Sequence, residues 1–233
     1  MKTLKLIFSF FFTDLRRIFT EPTFFTSLLL GSVALLAPFF ILPSSSFVTA
    51  QSAVFPFAAP FLAALPFAAI YKTERETKYA DLLKIRRGGK SYAVTRFFTV
   101  GIGGGFALMI PEILLLAVSF FINNAAVMDD LFRINYTLAL SFPFGFVFAA
   151  LAYAMTFITR SKIIAIITPE VLYLLFTYAF PYLDLEKYYP PFAIAPFIYG
   201  VADLQYIYLM FAAMFIVSLI ITIIFEILTV KES

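Results

Sequence analysis

The feature that most constrains this chain is a series of long, uncharged, apolar stretches. No charged residue occurs between Glu21 and Lys72, and a polar cluster at 43–46 divides that stretch in two. A helix needs about 20 mostly apolar residues to cross the hydrocarbon layer of a bilayer. Stretches of that length recur, and they predict six transmembrane spans: 23–42, 52–70, one within 97–128, 134–159, 163–183 and 204–225.

The composition places these stretches in lipid rather than in the core of a soluble domain. Hydrophobic residues make up 62% of the 233 residues and charged residues 13%, whereas soluble domains have roughly 45–50% and 25%. A chain of this length cannot bury so much apolar surface in one core. We therefore predict an all-α fold, a polytopic membrane helix bundle that forms a single domain over residues 1–233.

Two further segments complete the predicted fold. Residues 1–20 carry apolar side chains on one side of a helix and basic or hydroxyl side chains on the other, which is typical of an amphipathic helix in the headgroup plane. Between the fifth and sixth spans, the uncharged stretch 188–202 is too short to cross and is broken by Pro190, Pro191 and Pro196. We predict an extracellular re-entrant segment within 184–203.

The positions of Lys and Arg predict the orientation. These residues are retained on the cytoplasmic side of a membrane. With both termini in the cytoplasm, only Arg133 and Lys187 of the 17 Lys and Arg residues fall outside. The basic residues thus sit at membrane boundaries, and the net charge of +3 does not indicate nucleic acid binding. We expect a multi-pass protein in the plasma membrane of a bacterium, with the lipid bilayer as its surroundings.

The residue types argue against a catalytic or nucleotide site. The chain has no Cys and no His, which removes the usual metal ligands, nucleophiles and general bases. Gly89-Lys90-Ser91 resembles the end of a P-loop, but Lys84 stands where a P-loop requires Gly. Four glycines within 101–105 lie in an apolar stretch, where small residues favour close helix packing. We expect no catalytic site and no metal site in this chain.

Residues 71–96, between the second and third spans, form the most informative hydrophilic segment. Glu74 and Lys78 stand four residues apart with the acid first, the favourable order for an ion pair on a helix. Tyr79, Leu82 and Leu83 give the segment an apolar side. A helix of this kind is suited to dock on another protein. The alternative is a solvated loop whose basic residues only set the topology.

The stretch from Glu74 to Leu83 reads Glu-Arg-Glu-Thr-Lys-Tyr-Ala-Asp-Leu-Leu. It resembles a segment in the permease subunits of ABC-2 type ABC transporters, in which Glu-Arg-Glu, a small-residue pair and a Leu-Leu step precede the third span. The six spans, the amphipathic N-terminal helix and the broken segment before the last span are also similar to that family. The chain departs from it at Thr77-Lys78, where the family usually has Gly-Thr, and at 86–91, where a Pro-Val-Ser-Arg type turn often follows.

The resemblance implies a coupling helix within 71–96 that sits in a cleft of a separate ATPase. The matching positions assign the contact to Glu74, Arg75, Glu76, Lys78, Tyr79, Asp81, Leu82 and Leu83. It also implies that the partner ATPase binds ATP and Mg²⁺, that this chain needs no cofactor, and that a second permease subunit, identical or unlike, completes the transporter.

Glu112 and Glu170 are carboxylates inside predicted spans, and each directly follows a proline. A carboxylate within a span is energetically costly and usually faces protein or water. Two interpretations stay open. The residues are either proton or substrate sites on a transport pathway, or structural groups hydrogen-bonded beside a helix break.

These features together lead us to expect the permease subunit of an ABC exporter that moves a hydrophobic or amphipathic cargo, such as a peptide, outward. The 32 Phe residues and the few charges within the spans argue against a highly charged cargo. Two alternatives remain: an ion-coupled secondary transporter that uses Glu112 and Glu170, and a non-transporting membrane protein such as an immunity or scaffold protein.

Overall fold

The computed structural model describes residues 2–42, 46–77, 79, 82–83, 89–122, 127, 131–159, 161–195 and 203–231. Over this part of the chain the structure is helical and contains no strand, which confirms the all-α fold. The helices, in chain order, are α1 (Lys2–Thr20), α2 (Pro22–Ile41), α3 (Phe47–Ala53), α4 (Phe55–Glu76), α5 (Gly89–Ile122), α6 (Leu131–Thr159), α7 (Lys162–Ala179), two short 3₁₀ helices (Phe180–Leu183 and Glu186–Tyr188), α8 (Pro191–Ile194) and α9 (Leu204–Lys231).

Five of the described helices are long and apolar enough to cross a membrane: α2, α5, α6, α7 with the 3₁₀ turn that follows it, and α9. A sixth span is available if α3 and α4, which meet at a bend of 67°, cross together as one broken helix. The chain is therefore a multi-pass membrane helix bundle, as the uncharged stretches predict.

The bend between α3 and α4 lies at a proline. Pro56 has no N–H and cannot donate to the carbonyl of Ser52, so the helical hydrogen bonding is interrupted there. The chain resumes with the amides of Phe57 and Ala58, which both donate to the carbonyl of Val54 at 3.1 and 3.3 Å. The break is thus a consequence of the local sequence.

Hydrogen bonds between α2 and α4 show how the second part of the broken helix runs beside the first span. Thr23 Oγ1 donates to the carbonyl of Pro66 (3.3 Å), and Ser27 Oγ donates to the carbonyl of Leu62 (2.7 Å). Residue numbers rise along α2 as they fall along α4, so the two helices are antiparallel, and α4 returns to the end where α2 begins. Because Pro66 has no N–H for the carbonyl of Leu62, Ser27 supplies the missing donor.

The helix α6 lies at the centre of the bundle. In its apolar stretch 67% of the residues are buried, against 22% in α7 and 28% in α2 and α9. It packs closely on α5 because glycines meet at the contact: a Cβ on Gly104 would collide with Ala149 and with the carbonyl of Gly145, and one on Gly101 would lie 2.7 Å from the ring of Phe146. This confirms that the glycines of 101–105 serve helix packing.

The predicted re-entrant segment contains the short helix α8. Its residues Ala193 and Ile194 and the following Ala195 are fully buried, and α8 packs against α6 and α4. Within a membrane, backbone that is not part of a spanning helix is tolerated only when protein or a water-filled cavity covers it. The last part of the predicted segment, 196–202, lies outside the described residues.

The 71–96 connection differs from the sequence prediction in its extent. Helix α4 continues without interruption to Glu76, and α5 begins at Gly89, so the two spans extend into the segment from both sides. The reason is local, since no Gly or Pro occurs between Pro66 and Gly88 and nothing therefore ends α4 at the membrane boundary. Tyr79, Leu82 and Leu83 are helical as well.

Candidate functional site

Five polar side chains from three helices meet at the end of the bundle where α1 lies. They are Asp14 and Arg17 of α1, Glu74 of α4, and Tyr92 and Arg96 of α5. Asp14 and Arg17 are three residues apart and Tyr92 and Arg96 are four apart, so each pair projects from one side of its helix. We call this set the buried charge cluster.

Glu74 is the centre of the buried charge cluster. Its Oε1 accepts hydrogen bonds from Arg17 Nη1 at 2.8 Å and from Arg96 Nη2. Its Oε2 accepts one from the hydroxyl of Tyr92 at 2.8 Å. Arg96 in turn faces Asp14, with Nη1 3.6 Å from Oδ1. One carboxylate of α4 thus holds both other helices.

Four members of the cluster are withdrawn from solvent, and Arg17 is partly exposed. The exposed fraction is 1% for Arg96, 2% for Asp14 and 4% for Glu74. Two guanidinium groups face two carboxylates, so the formal charges cancel within the set. Buried charges are tolerated when they are paired and hydrogen-bonded, and loss of one partner is strongly destabilising. The cluster therefore fixes the position of α1 relative to the ends of α4 and α5.

The predicted coupling residues divide between the cluster and the surface. Glu74 is buried in the cluster, and Leu83 is also buried, at 6% exposure. Tyr79 and Leu82 are exposed at 42% and 63%, and we call these two side chains the apolar patch. The guanidinium of Arg17 lies 5.4 Å from the centre of the Tyr79 ring, so Arg17 contacts both the buried charge cluster and the apolar patch.

Four predicted coupling residues cannot be placed in this arrangement. Lys78 and Asp81 lie outside the described residues, as do the side chains of Arg75 and Glu76. The predicted ion pair between Glu74 and Lys78 therefore stays a prediction, while Glu74 itself is paired with Arg17 and Arg96.

Sequence reasoning missed four members of the buried charge cluster. It counted Arg17 and Arg96 only as determinants of topology, and it assigned no role to Asp14 or Tyr92. One signal was available, because Asp14 is the sole acid in α1. A lone acid within a helix that also carries Arg residues indicates an ion pair. Its distant partners on α4 and α5 could not be read from the sequence.

Glu112 lies in a second polar group, inside the bundle. It is fully buried, and its Oε2 is in hydrogen-bonding contact with Ser141 Oγ of α6. The side-chain amide of Gln51 in α3 also interacts with the Glu112 carboxyl, and Gln51 Nε2 donates to the carbonyl of Ile194 in α8. We call these residues the internal polar group. It links three spans and the re-entrant segment.

Glu170 is placed differently from Glu112. It lies on α7, is partly exposed, and interacts with the backbone of Phe61 in α4. Its Oε2 is buried without a hydrogen-bond partner among the described residues. The two carboxylates that the sequence singles out thus have different neighbours, and no described contact joins them.

The described residues contain no group of three or more His, Cys, Asp and Glu side chains that could hold a metal ion. Comparison with known proteins identifies no relative, since no family model, no curated protein and no solved structure matches this chain.

Proposed function

We propose that this chain is the permease subunit of an ATP-binding cassette exporter, driven by a separate ATPase. The observation that supports it best is the buried charge cluster. The cluster fastens the segment that resembles a coupling helix to the amphipathic helix α1 and to the start of α5. A push on that segment would therefore move several helices together.

The apolar patch is the surface proposed to contact the ATPase. Leu82 is 63% exposed and Tyr79 42% exposed, and both lie in the hydrophilic connection between two spans, away from the apolar stretches that face lipid. Large exposed apolar side chains in such a place are typical of a protein interface. Arg17 beneath Tyr79 would carry displacement of the patch to Glu74.

The proposed orientation places the buried charge cluster and the apolar patch in the cytoplasm, where ATP is available. It rests on the positive-inside rule and on the same distribution of 17 Lys and Arg residues that predicts cytoplasmic termini. The ATPase would bind ATP and Mg²⁺. Its closure would shift the bundle from inward-open to outward-open, and the bacterial plasma membrane is the proposed location.

The proposed transporter pairs this bundle with a second permease, identical or unlike, and moves a hydrophobic or amphipathic cargo such as a peptide. No charged residue lies within α2, within α3 or within residues 204–225 of α9. Of the two carboxylates predicted inside other spans, Glu112 is fully buried and Glu170 is partly buried. A pathway of this composition suits an apolar cargo better than a highly charged one.

The test is recovery of an ABC-type ATPase that depends on the apolar patch. The protein is isolated in mild detergent from its native host, and co-purifying nucleotide-binding proteins are quantified by mass spectrometry. Leu82→Asp should abolish recovery without loss of the permease, because Leu82 is exposed. Tyr182→Asp is the matched control. Tyr182 is 89% exposed but lies in the 3₁₀ turn after α7, outside the 71–96 connection. Leu83 is unsuitable because it is buried.

Reconstitution distinguishes the remaining alternatives. The recovered ATPase and the permease in vesicles should move cargo only with ATP. Transport that a protonophore abolishes, and that proceeds without any ATPase, would instead identify an ion-coupled secondary transporter. Recovery of no nucleotide-binding partner, with equal results for Leu82→Asp and wild type, would favour a non-transporting membrane protein.

A further inference from the structure

The internal polar group contains a hydroxyl with one proton and two acceptors. Ser141 Oγ lies 2.8 Å from the carbonyl oxygen of Thr137, and it is also in hydrogen-bonding contact with Glu112 Oε2. A serine hydroxyl has a single hydrogen to donate, and a backbone carbonyl can only accept. If the hydrogen is donated to Thr137, as in many helical serines, a second hydrogen is needed for the contact with Glu112. That hydrogen can only come from the carboxyl.

The surroundings of Glu112 supply no cation. The polar groups that face it among the described residues are Ser141 and Gln51, and both are neutral. An ionised carboxylate that is fully buried without a counter-charge is very costly, and such a group becomes neutral instead. Donor counting and electrostatics thus lead to the same protonation state.

The elements packed against α5 are α1, α2, α3, α4, α6 and α9. Helices α2 and α3 have no charged residue. The described charged side chains of α1 and α4 lie at the end of the bundle that contains Arg96. Arg96 is 16 residues before Glu112, which corresponds to about 24 Å along α5. On α6, Arg133 is exposed. The described tyrosines of these helices are Tyr92, Tyr136, Tyr153, Tyr206 and Tyr208.

We propose that Glu112 is a proton-binding site inside the bundle. Its carboxyl holds a proton at neutral pH and donates it to Ser141 Oγ, while the amide of Gln51 donates to the carbonyl of Ile194. The bound proton thereby completes the hydrogen bond that joins α5 to α6, beside the bond between Gln51 of α3 and the re-entrant helix α8. This site is independent of the proposed ATPase coupling.

The network has a direct consequence for the re-entrant segment. Gln51 lies at the broken part of the second span, and its amide holds the carbonyl of Ile194, the last residue of α8. Movement of α8 away from Gln51 would break this link between the re-entrant segment and the internal polar group.

Infrared difference spectroscopy tests the proposal, because the C=O stretch of a protonated carboxyl is separated from the bands of a carboxylate. The full chain, purified in nanodiscs, is measured at pH 7 against Glu112→Gln. The wild type should show a protonated-carboxyl band that the variant lacks, and the band should persist in the matched control Glu170→Gln. Absence of that band, with unchanged helical circular dichroism, would overturn the proposal.

Ser141→Ala provides a second readout that does not require Glu112→Gln to fold. This substitution removes only the acceptor of the carboxyl proton. The band should therefore persist in the variant and shift to higher frequency, because the hydrogen bond is lost. A band at unchanged frequency would contradict donation to Ser141.

Thermal unfolding separates a bound proton from a bound metal cation. Glu112→Gln retains an N–H donor and should melt close to the wild type, whereas Glu112→Ala should melt about 5 °C lower. Added Na⁺ or K⁺ should leave the melting temperatures of the wild type and of Glu112→Gln unchanged. Stabilisation of the wild type by either ion, absent in Glu112→Gln, would identify a cation site and overturn the proton assignment.

Discussion

At the scale of single residues, Glu74 and Glu112 are both buried, and burial makes a charged carboxylate costly. The two residues differ in the groups that surround them. Glu74 is surrounded by two guanidinium groups and a tyrosine hydroxyl, so it can stay ionised. Among the described residues, the groups that face Glu112 are the neutral side chains of Ser141 and Gln51, so we assign it a proton. Burial alone therefore does not define the role of an acid. Its partners do, and those partners come from other helices.

Arg96→Ala should be among the most destabilising single substitutions in the described part of the chain. It leaves the carboxylates of Asp14 and Glu74 buried and removes one of the two guanidinium groups that the structure describes in the cluster. Removal of one partner from a buried ion pair costs about 3–5 kcal/mol. Denaturant unfolding in micelles measures the loss. Arg16→Ala is the matched control, since Arg16 is exposed on the same helix as Arg17 and should change little.

A double substitution separates burial from charge. In Glu74→Gln/Arg96→Met the charges of Glu74 and Arg96 are removed together while Asp14 stays charged. The double variant should therefore lose less stability than the sum of Glu74→Gln and Arg96→Met. A double variant that is as unstable as the sum of both single variants would show that the two side chains do not act as a pair.

At the scale of elements, prolines and glycines decide how the helices pack. Pro56 breaks the second span, and Pro66 frees the carbonyl of Leu62, which Ser27 then satisfies. Gly31 of α2 lies against Pro111 of α5, where a Cβ would come within 3.0 Å of the proline ring. One close helix contact of the bundle thus lies at a proline.

Gly104→Leu should disrupt the contact between α5 and α6. A side chain there would collide with Ala149 and with the carbonyl oxygens of Ala63 and Gly145, at 2.7 Å for both oxygens, and backbone cannot move aside cheaply. We expect loss of folded protein in fluorescence size-exclusion chromatography. Ala117→Leu is the control, because Ala117 is exposed on the same helix. Equal yields for both variants would contradict the packing explanation.

At the scale of the whole molecule, the antiparallel contacts of α2 and α4 place the end of α4 beside the start of α2. Thr23 pairs with Pro66 and Ser27 with Leu62, and Glu74 at the end of α4 reaches Arg17 just before α2. The broken pair α3–α4 thus returns the chain to its starting side. With six crossings, α1 and the end of α9 lie on one side, and the turns after α7 lie on the other.

Labelling of introduced cysteines tests this arrangement and the proposed orientation together. The chain has no Cys, so single substitutions need no background removal. In intact cells a membrane-impermeant thiol reagent should label Tyr182→Cys, and it should label Ser9→Cys only after permeabilisation. Both parent residues are exposed. Labelling of both sites from the same side would contradict six crossings, and the reverse pattern would contradict cytoplasmic termini.

The sequence alone determined the class of fold, because apolar stretches of span length have no stable place except lipid. It also located the packing glycines of 101–105, since small residues in an apolar stretch favour close helix packing. The break at Pro56 came only from the structure, because several prolines lie in the predicted spans and the sequence did not single out one of them. The tertiary structure decided what Glu74 and Glu112 contact. Their partners lie on helices 18 or more residues away in sequence, and helix periodicity carries no information about which helices become neighbours.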